Sequence, residues 1–299
     1  MTIIDRLRQK KEAKAIFYII HRGVKKACDI GDLFYGAGVF VTSSGPSMAT
    51  ADLEALKQPG LLRFGLNNSP SIIRPHLWTC MDTPGKFLES VWRDPAILKF
   101  CGEGQFDKSI QRTFRDDDWR YCEAQIQDCP AVVHMRRNNR VDSKAWLAER
   151  SINWGNDKFY GGGRTVMMAV LKICYLLGIK RIYLNGVDFR MSSEYTYAFN
   201  EQRAAGAVHN NNTTYKRFLA YATSISHLLA KSGMEIINCT PRSELTLFPF
   251  MPLQAAIARE LRDFPNPDTE ITWGRYLPNE AKKITPEDKK RLEELHDRS

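Results

Sequence analysis

The chain alternates short apolar, β-branched segments with polar turns and longer periodic stretches, the pattern of a parallel sheet covered by helices. Val39–Thr42 reads as a buried strand running into Ser43-Ser44-Gly45-Pro46-Ser47-Met48, and Ala49–Lys57 as the helix that follows, with Asp52 and Glu54 in its first turn. Leu61–Leu66 reads as the next strand, ending at Asn67-Asn68-Ser69-Pro70. His76–Met81 reads as a third, stopped by the turn Asp82-Thr83-Pro84-Gly85. Residues 86–130 carry many aromatics with no clear period, and Ala131–His134 reads as a short strand. After Tyr160-Gly161-Gly162-Gly163-Arg164-Thr165, the almost wholly apolar Val166–Leu177 is a helix closed by Gly178. Strand Arg181–Leu184, helix Tyr215–Lys231 and strand Glu235–Asn238 complete the alternation.

The expected fold is α/β: a Rossmann-like, mainly parallel sheet with helices on both faces, a small lid segment, a basic N-terminal helix and a C-terminal helical arm. The expected organisation is a basic amphipathic helical segment over 1–36, a nucleotide-binding α/β catalytic domain over 37–262 with its lid at about 190–214, and a C-terminal arm over 263–299. The arm's last helix starts at Thr285-Pro286-Glu287-Asp288, an N-cap followed by Pro in the first turn. In sheets of this kind ligands bind outside the carboxyl ends of the strands. Ser43–Ser47, Asn67–Ser69, Asp82, Asn185–Asp188 and Thr240 all fall at such ends.

At 299 residues, 43% hydrophobic and 26% charged, the chain has the composition of a soluble globular protein. It contains no apolar run of the roughly 18 residues a membrane span needs, and its start carries no signal pattern, so a cytoplasmic location is expected. Seven scattered cysteines without C-x-x-C spacing read as reduced thiols. The net charge of +9 suits an anionic partner: nucleotide, phosphorylated glycan, acidic membrane surface or nucleic acid. Part of that excess lies in residues 1–30, where apolar residues at helical spacing make a basic amphipathic segment; it either packs on the domain or touches an anionic surface. His134-Met135-Arg136-Arg137-Asn138-Asn139-Arg140 reads as a second basic, loop-like patch.

Several residues are candidates for chemistry. The turn at Gly45 lets backbone approach a phosphate or ribose and precedes a helix start whose free N–H groups attract anions; it lacks the spacing of a dinucleotide fingerprint or a P-loop, and a plain structural turn is the alternative. His209, in the polar run Val208–Tyr215, has the side chain whose free pKa suits a general base; the alternatives are an ordinary surface residue or a cap for the next helix. Tyr195, Tyr197 and Asn200 lie on a long segment of the sort that forms lids, or pack as an aromatic cluster. Asp116-Asp117-Asp118 contains a D-x-D pattern that could hold a divalent cation, or else caps a helix or is solvated surface charge. Asp82 and Asp188, at strand ends, are better placed for metal or ribose contact, while the Asp188 carboxylate could instead simply satisfy backbone donors at its strand exit.

Taken together, Ser44-Gly45-Pro46-Ser47-Met48, Asn67, Leu177-Gly178, Lys180-Arg181-Ile182-Tyr183-Leu184-Asn185-Gly186-Val187-Asp188-Phe189, Tyr197-Ala198-Phe199 and His209-Asn210-Asn211-Asn212-Thr213 resemble the bacterial sialyltransferases that use CMP-sialic acid to decorate lipooligosaccharide. Order and approximate spacing agree across about residues 38–245, and I-Y-L-x-G-[VI]-D-F is the strongest part. The resemblance implies an inverting glycosyltransferase that needs no metal or cofactor beyond its nucleotide-sugar donor. In it His209 is the general base, Tyr197 a leaving-group tyrosine, and Ser44, Gly45 and Asn67 nucleotide contacts. Arg190 stands where the second tyrosine of the pair is expected, and an arginine would stabilise a departing phosphate by charge-assisted bonds. The full expected donor site is Ser43, Ser44, Gly45, Pro46, Ser47, Asn67, Asn68, Gly162, Gly163, Thr165, Asn185, Gly186 and Asp188. The acceptor is a glycan or a hydroxylated DNA base, and the chain could form a homo-oligomer. A wider resemblance reaches 6-hydroxymethylpterin pyrophosphokinase-like proteins, which move a diphosphate from ATP with Mg²⁺ and would use Asp82 and Asp188. A non-catalytic nucleotide-binding protein is the third alternative.

Overall fold

The segment Gly38–Thr42 (β3) has parallel neighbours on both sides, which explains why Val39, Phe40, Val41 and Thr42 are all buried. The computed structural model describes residues 15–138, 146–148, 152–153, 165–193, 196–199, 206–271 and 285–296. Its main sheet has nine strands. From β3 it runs outward through Leu62–Leu66 (β4), Leu77–Thr79 (β5), Leu98–Gly102 (β6) and Val132–Met135 (β9), and on the other side of β3 through Arg181–Asn185 (β12) and Glu235–Asn238 (β13). Those seven strands are parallel; Phe17–His21 (β1) joins β9 antiparallel and pairs with Val24–Ala27 (β2) at the edge. Arg112–Arg115 (β7) and Asp118–Tyr121 (β8) form a separate antiparallel ribbon, and Arg137–Asn138 (β10) pairs with Ile152–Asn153 (β11). The chain reverses its direction of growth at β3 and β12, so the sheet has its switch point there.

The two faces of β3 and β12 bury different residues because side chains alternate along a strand. Val39, Val41 and Leu184 pack with Met168 and Leu171 of helix Val166–Leu176 (α2) and with Phe218 and Ile225 of helix Ala207–Lys231 (α3); the short helix Glu89–Arg93 (α1) precedes them in the chain. Phe40, Tyr183 and Ile237 face the other way, onto Ala256 and Ile257 of helix Leu253–Glu260 (α4). Phe40 and Tyr183 stack with ring centroids 4.8 Å apart. A third cluster sets Trp78 edge-on to Trp92 of α1. Pro286–His296 (α5) is the helix expected at the C-terminus, and its Thr285 hydroxyl and Asp288 carboxylate cap it reciprocally.

Three expectations need correction. The N-terminal helix is not present over residues 17–27, which form the β1–β2 hairpin; the aromatic and β-branched run Phe17-Tyr18-Ile19-Ile20 outweighs the helical spacing, and Arg22-Gly23, both at positive φ, supply the turn. Residues 1–14 lie outside the described residues. The helix expected over Ala49–Lys57 is instead two 3₁₀ turns, Pro46–Thr50 and Ala55–Lys57. The basic patch at His134 is not a loop, because His134 and Met135 are buried in β9 and the strand β10 follows. Residues 139–145 of that region lie outside the described residues.

At the amino end of β12, half-buried Glu260 accepts hydrogen bonds from Arg181 Nε, from Arg181 Nη2 at 2.8 Å and from Tyr183 Oη at 2.7 Å. Burial alone would raise the Glu260 carboxyl, but the bonds from Arg181 and Tyr183 outweigh it and hold the group below its ordinary value of 4.5. A lowered folded-state pKa adds stability that is complete above the unfolded value and disappears as pH falls through the folded one. Glu260→Gln is expected to cost about 2 kcal/mol at neutral pH and to flatten the acid limb of stability against pH, measured by denaturant titration across pH 3–7.

Candidate functional site

A cavity of about 1000 Å³ opens at the carboxyl ends of β12, β3, β4 and β5. Its floor is the paired exits of β3 and β12. Ser43 N donates to the Asn185 carbonyl at 2.9 Å and Gly45 N to the Gly186 carbonyl at 3.0 Å. Ser47 Oγ donates to Asp188 Oδ2 at 2.8 Å, and the Ser47 amide reaches the same oxygen at 3.4 Å. A Cβ on Gly45 would lie 2.0 Å from Asp188 Oδ2 and 2.3 Å from the Gly186 carbonyl, so glycine is required there by space; its φ of −63° is ordinary. Gly186 does need its conformation, with φ at +71°.

Around that floor, Asn67 and Asn68 continue from β4, Met81 and Asp82 from β5, and Phe189 and Arg190 from β12. Asn67 and Phe189 are both non-glycine residues at positive φ, 47° and 57°, a strain that gathers at working sites. Phe189 is held there by stacking on Tyr215 at 4.8 Å and by an edge contact with Phe218. The Asn67 backbone carbonyl accepts from Trp78 Nε1 at 2.8 Å, while its side-chain Oδ1 is buried with no hydrogen-bond partner among the described residues. Two helix N-termini reach the cavity: Thr165, Val166 and Met167 of α2, and Gly206, Ala207 and Asn210 of α3. Their free N–H groups and positive dipole ends favour an anion.

Residues 196–199 form one wall. Ala198 N donates to the Ser44 carbonyl at 3.1 Å, tying this segment to the Gly45 turn. Tyr197 Oη accepts from Asn211 Nδ2 at 3.0 Å, and its ring stacks on Phe199. Asn212 brackets Met191, accepting from its amide at 3.0 Å and donating to its carbonyl at 2.9 Å.

The structure thus brings Ser43, Ser44, Gly45, Pro46, Asn67, Asn68, Thr165, Gly186, Asp188, Arg190 and Tyr197 to one cavity. Ser47 and Asn185 stand behind its wall. Ser47 holds Asp188, and buried Asn185 spends its amide on the carbonyls of Val41 and Tyr183. His209 is not brought to the cavity. It lies exposed in the first turn of α3, which begins well before the expected Tyr215 and presents Ala207, Asn210, Asn211 and Thr214 inward instead. On a helix, a residue two positions after Ala207 points to the opposite side. The tertiary bonds of Asn211 and Asn212 stabilise this early start despite their weak helix propensity. Gly162, Gly163, Tyr195 and Asn200 lie outside the described residues.

The D-x-D motif is neither a helix cap nor a cavity wall. Asp116 and Asp117, at φ of 53° and 60°, make the two-residue turn of the β7–β8 ribbon. Arg112 and Trp119 of that ribbon do line the cavity, as do Lys86 and Phe87, and none of the four was foreseen. The alternation of aromatic and charged residues on both sides of Asp116-Asp117 is the hairpin signal that would have found Arg112 and Trp119.

Among the described residues no helix is long and apolar enough to cross a membrane, no three His, Cys, Asp or Glu side chains gather to hold a metal, and all seven cysteines are unpaired. Compared with known protein families, curated proteins and solved structures, the chain finds no match.

Gly45→Ala is expected to destabilise the fold by about 3 kcal/mol, the cost of overpacking against backbone and a fixed carboxylate. Calorimetry beside Gly104→Ala checks this, because a Cβ on Gly104 meets nothing within 4 Å.

Proposed function

We propose that the chain is an inverting glycosyltransferase that binds a nucleotide sugar in the cleft between β3 and β12 and passes the sugar to an acceptor hydroxyl. The observation that carries this reading is the convergence of two strand exits and two helix N-termini on one cavity at the switch point of the sheet. The strand order, which grows away from β3 and β12 in opposite directions, supports the finer Rossmann-like description of the fold. The motif resemblance to the CMP-sialic-acid-dependent enzymes supports the transferase chemistry.

In this reading the donor phosphate lies over the Gly45 turn within reach of the α2 and α3 N-termini, and the buried Asn67 Oδ1 accepts from the nucleoside. The acceptor oxygen bonds to the anomeric carbon as the bond from that carbon to the phosphate oxygen breaks, and the nucleotide leaves with the electron pair. Arg190 and Tyr197 stabilise the leaving phosphate. The acceptor's proton needs a base on the cavity wall, which His209 is not. Asp188 is engaged by Ser47, so the role falls to Asp82, whose carboxylate is largely exposed and 3.7 Å from Lys86 Nζ. A second reading has one observation in its favour: Asp82 and Asp188 line the same cavity, the pair that Mg²⁺-dependent diphosphate transfer from ATP would use.

Thermal unfolding with CMP, UDP, GDP and ATP, each with and without Mg²⁺, separates the readings. A nucleotide at 100 times its Kd stabilises by about 2.7 kcal/mol. A shift without Mg²⁺ supports the transferase, a shift only with ATP and Mg²⁺ supports the diphosphate reading, and no shift with any nucleotide removes both. With the donor so identified, Asp82→Asn is expected to lower transfer by about 10²-fold or more. His209→Ala is expected to stay within about twofold of the parent, since an exposed residue off the cavity wall contributes little; a loss as large as that of Asp82→Asn would return the base role to His209.

A further inference from the structure

We propose that the β7–β8 ribbon is a stacking platform for unpaired nucleobases, so that the acceptor strand delivered to the cleft is a nucleic acid. This rests on the reading of the cleft as a donor site and names the acceptor class for it. Arg112 pairs with Tyr121 and Phe114 with Trp119 across the ribbon, which puts all four on one face. Thr113, Arg115, Asp118 and Arg120 occupy the other face. Phe114, Trp119 and Tyr121 are 57%, 42% and 58% exposed, a run of aromatic surface that no described element covers. Arg112 and Trp119 line the cavity while Phe114 and Tyr121 do not, so the aromatic face begins inside the cleft and continues past its mouth. A face longer than one ring suits a chain of ring-bearing units better than a single small molecule.

Charge decides which chain. The Arg112 guanidinium lies over the Trp119 ring, 4.0 Å from its centroid, and Phe114 packs against the same ring at 5.2 Å. The C–H face of a sugar would need that ring open. A nucleobase stacks equally well on a guanidinium plane, and its phosphate meets the positive charge. Lys86 adds a cation at the cavity wall, Arg115 and Arg120 add two on the back of the ribbon, and the chain carries a net charge of +9. A base extruded from a duplex would reach the platform in the same way.

The test is fluorescence anisotropy of a labelled thymidine oligonucleotide of about twelve nucleotides, a length within the usual single-strand site size, at rising salt concentration. The expected result is binding whose log K falls linearly with log salt, weakened about tenfold by Phe114→Ala and again by Tyr121→Ala. Both residues are exposed and off the cavity wall, so the thermal shift with mononucleotide is expected to survive in each variant. No oligonucleotide binding by a protein that still gives that shift overturns the platform alone. Variants that bind like the parent, or binding of a neutral oligosaccharide that Phe114→Ala abolishes, overturn it too. Absence of the mononucleotide shift in the parent protein overturns the reading of the cleft instead.

Discussion

Everything at the cleft hangs from the join between two strand exits that are 141 residues apart in sequence at Ser47 and Asp188. Two backbone bonds, from Ser43 to Asn185 and from Gly45 to Gly186, bring the turns so close that no side chain fits between them. Asp188 closes the join by accepting from Ser47. The same Asp188 then fixes the next loop, because its carbonyl accepts from Glu244 N at 2.9 Å. On the cavity side the Ser44 carbonyl anchors Ala198, so the 196–199 segment takes its position from the join as well. A buried carboxylate with hydrogen-bond partners is cheap to keep and costly to leave alone, which makes Asp188 a fixture before it is anything else.

Charge is divided between the two ends of the sheet. At the amino end of β12, Glu260, Arg181 and Tyr183 form a tight cluster. Buried Lys99 donates to the carbonyls of Asp94, Ile97 and Pro130, and burial lowers its ammonium to about 8. Lys172, in α2, is likewise spent on the carbonyls of Trp146 and Leu147. None of these groups lines the cavity at the carboxyl ends of the strands. At the carboxyl end the polar floor is mostly backbone and small side chains, while Asp82, Lys86 and Arg190 stand at the periphery with solvent access. The wall is thus preorganised by groups that need not move, and the exposed charges stand at its rim.

The central strands were legible because both their faces are buried: the continuous apolar runs at Val39, Ile182 and Ile236 admit one reading. Glycine and small polar residues after those runs located the floor of the cavity for the same reason, since a close approach of backbones restricts residue type. Legibility failed where tertiary contact overrode local preference. The N-terminal hairpin carries apolar residues at spacings that suit helix and strand alike; its aromatic and β-branched run and the Arg22-Gly23 turn favour the strand, and pairing with β9 completes it. The resemblance gave His209 a catalytic role as a loop residue; with Asn211 bonded to Tyr197 and Asn212 to Met191, the helix begins before it and leaves it exposed, off the cavity wall. The β7–β8 ribbon was hidden by aromatics that are usually core and here are surface.

The pairing of β1 with β9 has a consequence for synthesis. Tyr18 lies opposite His134, so the first described strand of the chain enters the sheet only after more than a hundred further residues have left the ribosome. Until then the nascent hairpin has nothing to cover Phe17 and Ile20, which end up buried. Its outer strand Val24-Lys25-Lys26-Ala27 carries two lysines, Lys25 paired with Glu103, along an edge to which no described strand adds. Charged edges of this kind discourage neighbouring chains from adding a strand. Charge on this outer strand thus disfavours pairing with other chains both before and after β9 is in place.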